Sequence, residues 1–121
     1  MKAAVIVLSD PKNGKEALGR LFNALAVAYD FKHNGDEVTI QFQGTGTLWL
    51  SELTQPDHPV ASLYAAVVDT VAGVSCGCAE VFGAEVESSG LALLKDNPVP
   101  GTPGLPSLRR LLAEGYQVLT F

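Results

Sequence analysis

Charge is scarce in this chain, and positive charge scarcer still. Only 17% of the 121 residues are charged, with 8 Lys and Arg against 13 Asp and Glu and a formal net charge of −5. Phosphate backbones are held by basic faces, so that balance excludes nucleic acid as the main partner. An anionic membrane surface is excluded on the same ground. Cysteine is equally sparse: Cys76 and Cys78 are the two present. Two cysteines are too few for the disulfide framework of a small secreted domain, and a bridge between residues one apart would be strained. Free thiols make the cytoplasm the expected compartment. Long apolar runs are missing too. Nothing approaches the roughly 20 apolar residues of a membrane-spanning helix. Lys2 followed by Ala3 to Leu8 faintly resembles the start of a signal peptide. The run is about half the length of such an apolar region, and Asp10, Pro11 and Lys12 interrupt it at once. It reads instead as a buried strand.

What is present is apolar. Hydrophobic residues make up 47% of the chain, too many for disorder at this low charge. Residues 1–121 form one domain by length, since domains cluster at about 100–150 residues. Low charge beside a high apolar fraction points to surface covered by another subunit.

Periodicity supplies an order of elements. Ala3 to Leu8 (AAVIVL) is continuous and β-branched, the pattern of a strand buried on both faces of a parallel sheet. After the turn cluster Ser9 to Gly14 the period becomes helical. Leu18, Leu21, Phe22, Leu25 and Tyr29 are expected on one buried face, and Asn34-Gly35 closes the helix. Glu37 to Phe42 is a second strand, completing a right-handed parallel crossover. A Gly/Thr loop, Gln43 to Thr47, leads to a short helix over Leu48 to Leu53. Further helices are expected over Val60 to Asp69 and Cys78 to Phe82, with a short strand over Thr70 to Ser75 between them. Ala84 to Ser89 is read as helix and Leu91 to Leu94 as a brief strand. Asn97 to Pro106 packs four prolines and two glycines into ten residues, which forbids regular structure and suggests a compact loop. A helix over Leu105 to Glu114 and a strand over Tyr116 to Phe121 follow. This alternation predicts an α/β layer sandwich. Ligands of such sheets sit outside the carboxyl ends of the strands, which here means Ser9 to Gly14, Gln43 to Thr47 and Ser75 to Ala79.

Two glycine motifs fail. Gly14-Lys15 lacks the earlier Gly and the following Ser/Thr of a P-loop, since Ser9 and Glu16 occupy those positions. Gly44-Thr45-Gly46 begins like a dinucleotide fingerprint, but Trp49 stands at the third Gly. Small residues there can still present backbone N–H groups to an anion, so Gly44, Thr45 and Gly46 are candidate pocket residues. A tight turn capped by Thr47 is the plainer alternative. His58, between Asp57 and Pro59, is either a pocket residue or a surface histidine before a helix. Ser75-Cys76-Gly77-Cys78 is the strongest chemical signal. It falls where a strand ends and a helix begins. Helix N-termini stabilise thiolates, and the thiolate is the nucleophile. Gly77 lets the backbone turn and keeps the sulfur accessible. The plainer alternative is a pair of small buried hydrophobes. A metal site of Cys76, Cys78 and His58 would lack the second cysteine pair of a structural zinc centre. No cofactor is expected.

In this order and spacing the chain resembles the DsrE/DsrF-like (YchN-like) family of small sulfur-relay proteins. The opening strand, loop and helix with Leu18, Asn23, Ala24 and Leu25 carry the resemblance. So do the strand-end segment Cys76 to Ala84, the Pro/Gly loop, and the closing Gly115 to Phe121. The resemblance implies a three-layer α/β/α sandwich around about five parallel strands. It implies trimers or hexamers, and a strand-end cysteine that carries sulfane sulfur as a persulfide between donor and acceptor proteins. Cys76 matches that cysteine best, counting back from Gly83. Relatives with two cysteines often space them C-x-x-C, whereas this chain has C-x-C, so Cys78 is the other candidate. In this reading the partner thiol resolves or shields the persulfide, and Gly44 to Thr47, Gly77 and His58 line the pocket. The rival reading is a non-catalytic oligomeric module of the same fold that binds a nucleotide or other small molecule.

Overall fold

The computed structural model describes residues 1–121. Five strands form one sheet: β1 (Lys2–Val7), β2 (Glu37–Phe42), β3 (Val71–Ser75), β4 (Leu93–Leu94) and β5 (Gln117–Thr120). Their order is β4-β3-β2-β1-β5, and every pairing is parallel. The helices are α1 (Gly14–His33), α2 (Leu50–Leu53), α3 (Ala61–Val67), α4 (Cys76–Phe82) and α5 (Leu108–Ala113). The chain is therefore the expected α/β sandwich around five parallel strands.

Strand periodicity divides the core between the two sheet faces. Val5 and Val7 of β1, Ile40 and Phe42 of β2 and Val74 of β3 share one cluster with Ala17, Leu21 and Leu25 of α1, Trp49, and Val67 of α3. Ala4 and Ile6 point the other way and meet only Leu111 of α5 as a fully buried partner. The asymmetry follows from topology. The crossovers from β1 to β4 all advance in one direction, so right-handed connections stack their helices on one face. The single return to β5 puts α5 on the other.

Several local expectations are corrected. On α1 the core stripe is Ala17, Leu21, Ala24, Leu25 and Ala28, while Phe22 is 51% and Tyr29 44% exposed. Alanines let the helix sit close to the sheet, which turns the larger residues outward. The segment Gly44–Trp49 is a 3-10 turn that leads directly into the one-turn α2, so the loop is shorter than expected. α3 ends at Val67 and tightens into a 3-10 turn over Val68–Thr70. Ala84 to Ser89 holds only a 3-10 turn, Glu87–Ser89. α5 begins at Leu108, after Pro106, because Ser107 caps it by accepting a hydrogen bond from the Arg110 N–H. The spacing of Leu108, Leu111 and Leu112 suggests one apolar side for this helix, but Leu112 faces solvent while Leu111 is buried.

Candidate functional site

All three segments expected at the functional edge lie at the carboxyl ends of strands. Val74 and Ser75 of β3 are buried, and α4 starts at the very next residue, Cys76. Ser75 is the N-cap: its Oγ accepts a hydrogen bond from the Cys78 N–H at 3.2 Å. The Gly77 N–H donates to the carbonyl of Gly104 at 2.8 Å, tying the turn to the Pro/Gly loop. Two of the first amides of α4 are thus already used within the fold. Gly83 closes the helix in the left-handed conformation, with φ of 70°.

Both cysteines are free thiols and half-buried. They differ in surroundings. Cys78 lines a small apolar groove of about 120 Å³ with Gly77, Val81, Phe82, Thr102 and Leu105, and Cys76 is not part of that lining. Val81, on the groove's rim, is 71% exposed.

The Gly/Thr segment contributes differently from each residue. α4 packs against the Gly44–Trp49 turn, so the two segments are neighbours. Gly44 takes a left-handed backbone with φ of 56°, and Gly46 serves close approach: a Cβ on it would lie 2.1 Å from the Val7 carbonyl oxygen. Thr45 donates from its hydroxyl to the Leu8 carbonyl at 3.1 Å. Thr47 does not act as an N-cap; it lies inside the turn and donates to the Gly44 carbonyl at 2.9 Å.

His58 lies away from the thiols. Its side chain is 11% exposed and packs edge-on against the Trp49 ring. Its Nδ1 accepts the Val60 N–H at 3.3 Å, and Nε2 stands 3.8 Å from Glu52. It lines neither cavity of the molecule. Cys76, Cys78 and His58 do not converge, and no group of three His, Cys, Asp or Glu side chains is placed to hold a metal ion.

A second cavity was not singled out from the sequence. It measures about 350 Å³ and opens at the carboxyl ends of β1 and β5. Ser9, Asp10, Asn13, Glu16, Arg20 and Thr45 supply its polar lining. The connections on either side of β1 leave for opposite faces of the sheet, so this is the topological switch point, where open α/β sheets bind ligands. The turn cluster after β1 was the available signal. Thr120 and Phe121 complete the cavity through β5, whose position beside β1 no local pattern reveals.

The fold and site define a class: small parallel α/β proteins with a cysteine at the carboxyl end of an inner strand. The chain matches the DsrE/DsrF-like family over residues 1–121 and belongs to that family. It is similar to an uncharacterised protein of Methanocaldococcus jannaschii, MJ0733, at 29% identity over 120 residues, covering 98% of this chain and 94% of that one. No solved structure matches it.

Proposed function

We propose that this protein is an intracellular sulfur carrier of the DsrE type, with Cys76 as the residue that holds sulfane sulfur. The observation that supports this most is the position of Cys76, directly after the inner strand β3, in a chain that matches the DsrE/DsrF-like family from end to end. In the proposed cycle the Cys76 thiolate attacks the outer sulfur of a donor persulfide, and the donor thiolate leaves. An acceptor thiolate then attacks the outer sulfur on Cys76, and Cys76 leaves as thiolate. The protein needs no cofactor for either step. Donor and acceptor are thiol-bearing proteins, and the apolar side chains of Val81, Phe82 and Leu105 offer them a contact on the side of α4 away from Cys76. Gly44, Thr45 and Gly46 belong to the turn packed against α4, with Thr45 facing the switch-point cavity instead of the groove. His58 supports that turn through Trp49 rather than touching substrate. Exposed Phe22, Tyr29, Val81 and Leu112 favour association with further copies of the chain, and the family resemblance suggests a homo-trimer or homo-hexamer. No helix is long and apolar enough to cross a membrane, which is consistent with a cytoplasmic setting. The test is cyanide-labile sulfur after incubation with an organic persulfide. Wild type and Cys78→Ser take it up and Cys76→Ser does not; no uptake by wild type overturns the carrier role.

The cavity at the switch point supports a second reading, a binding module for a nucleotide or other small molecule. Asp10 and Arg20 present opposite charges to it, and the Asn13 side chain caps nothing. That reading predicts nucleotide binding, measured by calorimetry, that survives the double Cys76→Ser/Cys78→Ser variant and is lost in Arg20→Ala.

A further inference from the structure

The two thiols stand one residue apart, which invites the idea that Cys78 discharges Cys76. The helix forbids it. Residues two apart in an α-helix lie 200° apart around the axis, so their side chains leave on nearly opposite sides. Ideal helix geometry separates their Cβ atoms by roughly 7 Å, whereas a disulfide needs about 3.5–4.5 Å. The observed surroundings agree, since Cys78 faces the Val81–Phe82–Leu105 groove and Cys76 does not.

The turn that carries them is also held from both sides. Ser75 Oγ accepts the Cys78 N–H. The Gly104 carbonyl accepts the Gly77 N–H. Gly77 is buried so closely that a Cβ there would come 2.6 Å from Leu105 Cδ1. Bringing the thiols together means breaking these contacts and unwinding the first turn of α4.

We propose that α4 protects a persulfide on Cys76 from internal loss by holding Cys78 out of reach, so that sulfur leaves only to an external thiolate. This rests on Cys76 as the carrier. The blocked step is attack of the Cys78 thiolate on Sγ of the Cys76 persulfide. It would break the persulfide S–S bond, form a Cys76–Cys78 disulfide and expel hydrosulfide. The outer sulfur would be reduced and Cys78 oxidised. The permitted step moves the outer sulfur to an external thiolate and returns Cys76 as thiolate, with no net redox change. Gly77 makes the contrast sharp. In an unfolded chain this flexible residue lets the C-G-C ring close; in the folded chain the same residue is locked under Leu105.

Two measurements test the proposal. First, protein loaded with an organic persulfide is followed for hydrosulfide release, folded and in guanidinium chloride, as wild type and Cys78→Ser. Folded wild type and Cys78→Ser should release hydrosulfide at the same slow rate. Unfolding should trigger release from wild type alone, with a Cys76–Cys78 disulfide found in the digested peptide. Faster release from folded wild type than from folded Cys78→Ser overturns the proposal. Second, unloaded protein is treated with diamide. Intramolecular disulfide should form at least about tenfold more slowly in folded than in unfolded protein, because the first turn must open before the thiols meet. Equal rates overturn the proposal. The second measurement needs no sulfur loading, so a protein that never loads refutes the carrier reading while the geometry is still judged by itself.

Discussion

At Gly46 an added Cβ would lie 2.1 Å from the Val7 carbonyl oxygen and 2.7 Å from its carbon, both backbone atoms that cannot swing away. At Gly77 the nearest atom is 2.6 Å off but is the end of the Leu105 side chain, with the Gly104 carbonyl oxygen at 3.1 Å. Overpacking of this kind costs about 1–3 kcal/mol. Gly46→Ala is expected near or above the top of that range, and Gly77→Ala near the bottom; urea unfolding midpoints at constant slope read the difference. Gly77→Ala should also admit less of a partner into the groove beside Cys78. The sequence marked both glycines as turn and pocket residues and not as points of close packing, because close approach to β1 and to the Pro/Gly loop is a long-range fact. The same limit applies to His58. Its neighbours Asp57 and Pro59 suggested an exposed position or a pocket, while Trp49, nine residues earlier, supplies the ring against which it is buried. The place of Cys76 at a strand-to-helix junction was legible because its signal is local: an apolar strand before it and a Gly after it.

Strands and helices that buried a continuous apolar run were read correctly, and amphipathic faces less so. β1, with Ala3 to Val7 all buried, could hardly be mistaken. On α1 Leu21 and Leu25 are core as expected, but Ala17, Ala24 and Ala28 complete the stripe in place of Phe22 and Tyr29. Spacing alone does not tell which of two overlapping apolar stripes packs closer, and Ala permits the closer approach. At the opposite edge of the sheet the ends of β1, β2 and β5 are joined by a polar cluster. Tyr116 donates to Glu37 at 2.7 Å, Lys2 lies 3.3 Å from the same carboxylate, and Lys2 stands over the Tyr116 ring. The Tyr116 hydroxyl, and then Lys2, hold the Glu37 carboxyl below its ordinary 4.5. That carboxylate prefers ionisation more strongly in the folded chain. Its contribution is therefore present above about pH 4.5 and is lost as pH falls through the lowered value. The Glu37 carboxylate raises Tyr116 above its ordinary 10.0, so the phenol's contribution is present below about pH 10 and is lost as pH rises through the raised value. Glu37→Gln should flatten both limbs of the stability profile. The check is the difference in unfolding free energy between wild type and variant across pH; the change is small, because the cluster is solvent-exposed.

As a whole the molecule is a lopsided sandwich. Four helices and most of the core lie on one sheet face, and α5 with Ala4, Ile6 and Leu111 occupies the other. The alternation of strands and helices was written in the sequence. The placement of β5 beside β1 was not, because it is set by which edge the last strand can reach after its crossover. That placement completes the switch-point cavity, so its Ser9 to Gly14 side was legible and its Thr120 and Phe121 side was not. The exposed apolar residues on α1, α4 and α5 predict an assembly of several chains, seen by light scattering as a whole-number multiple of the chain mass. Val81→Asp should shift that equilibrium toward smaller species if the α4 surface is the contact. The central claim concerns Cys76, and intact-protein mass spectrometry after treatment with an organic persulfide tests it most directly. The account predicts a gain of one sulfur atom per chain, reversed by cyanide, kept in Cys78→Ser and abolished in Cys76→Ser. A wild-type chain that gains no sulfur, or a Cys76→Ser chain that gains it as readily, would contradict the account.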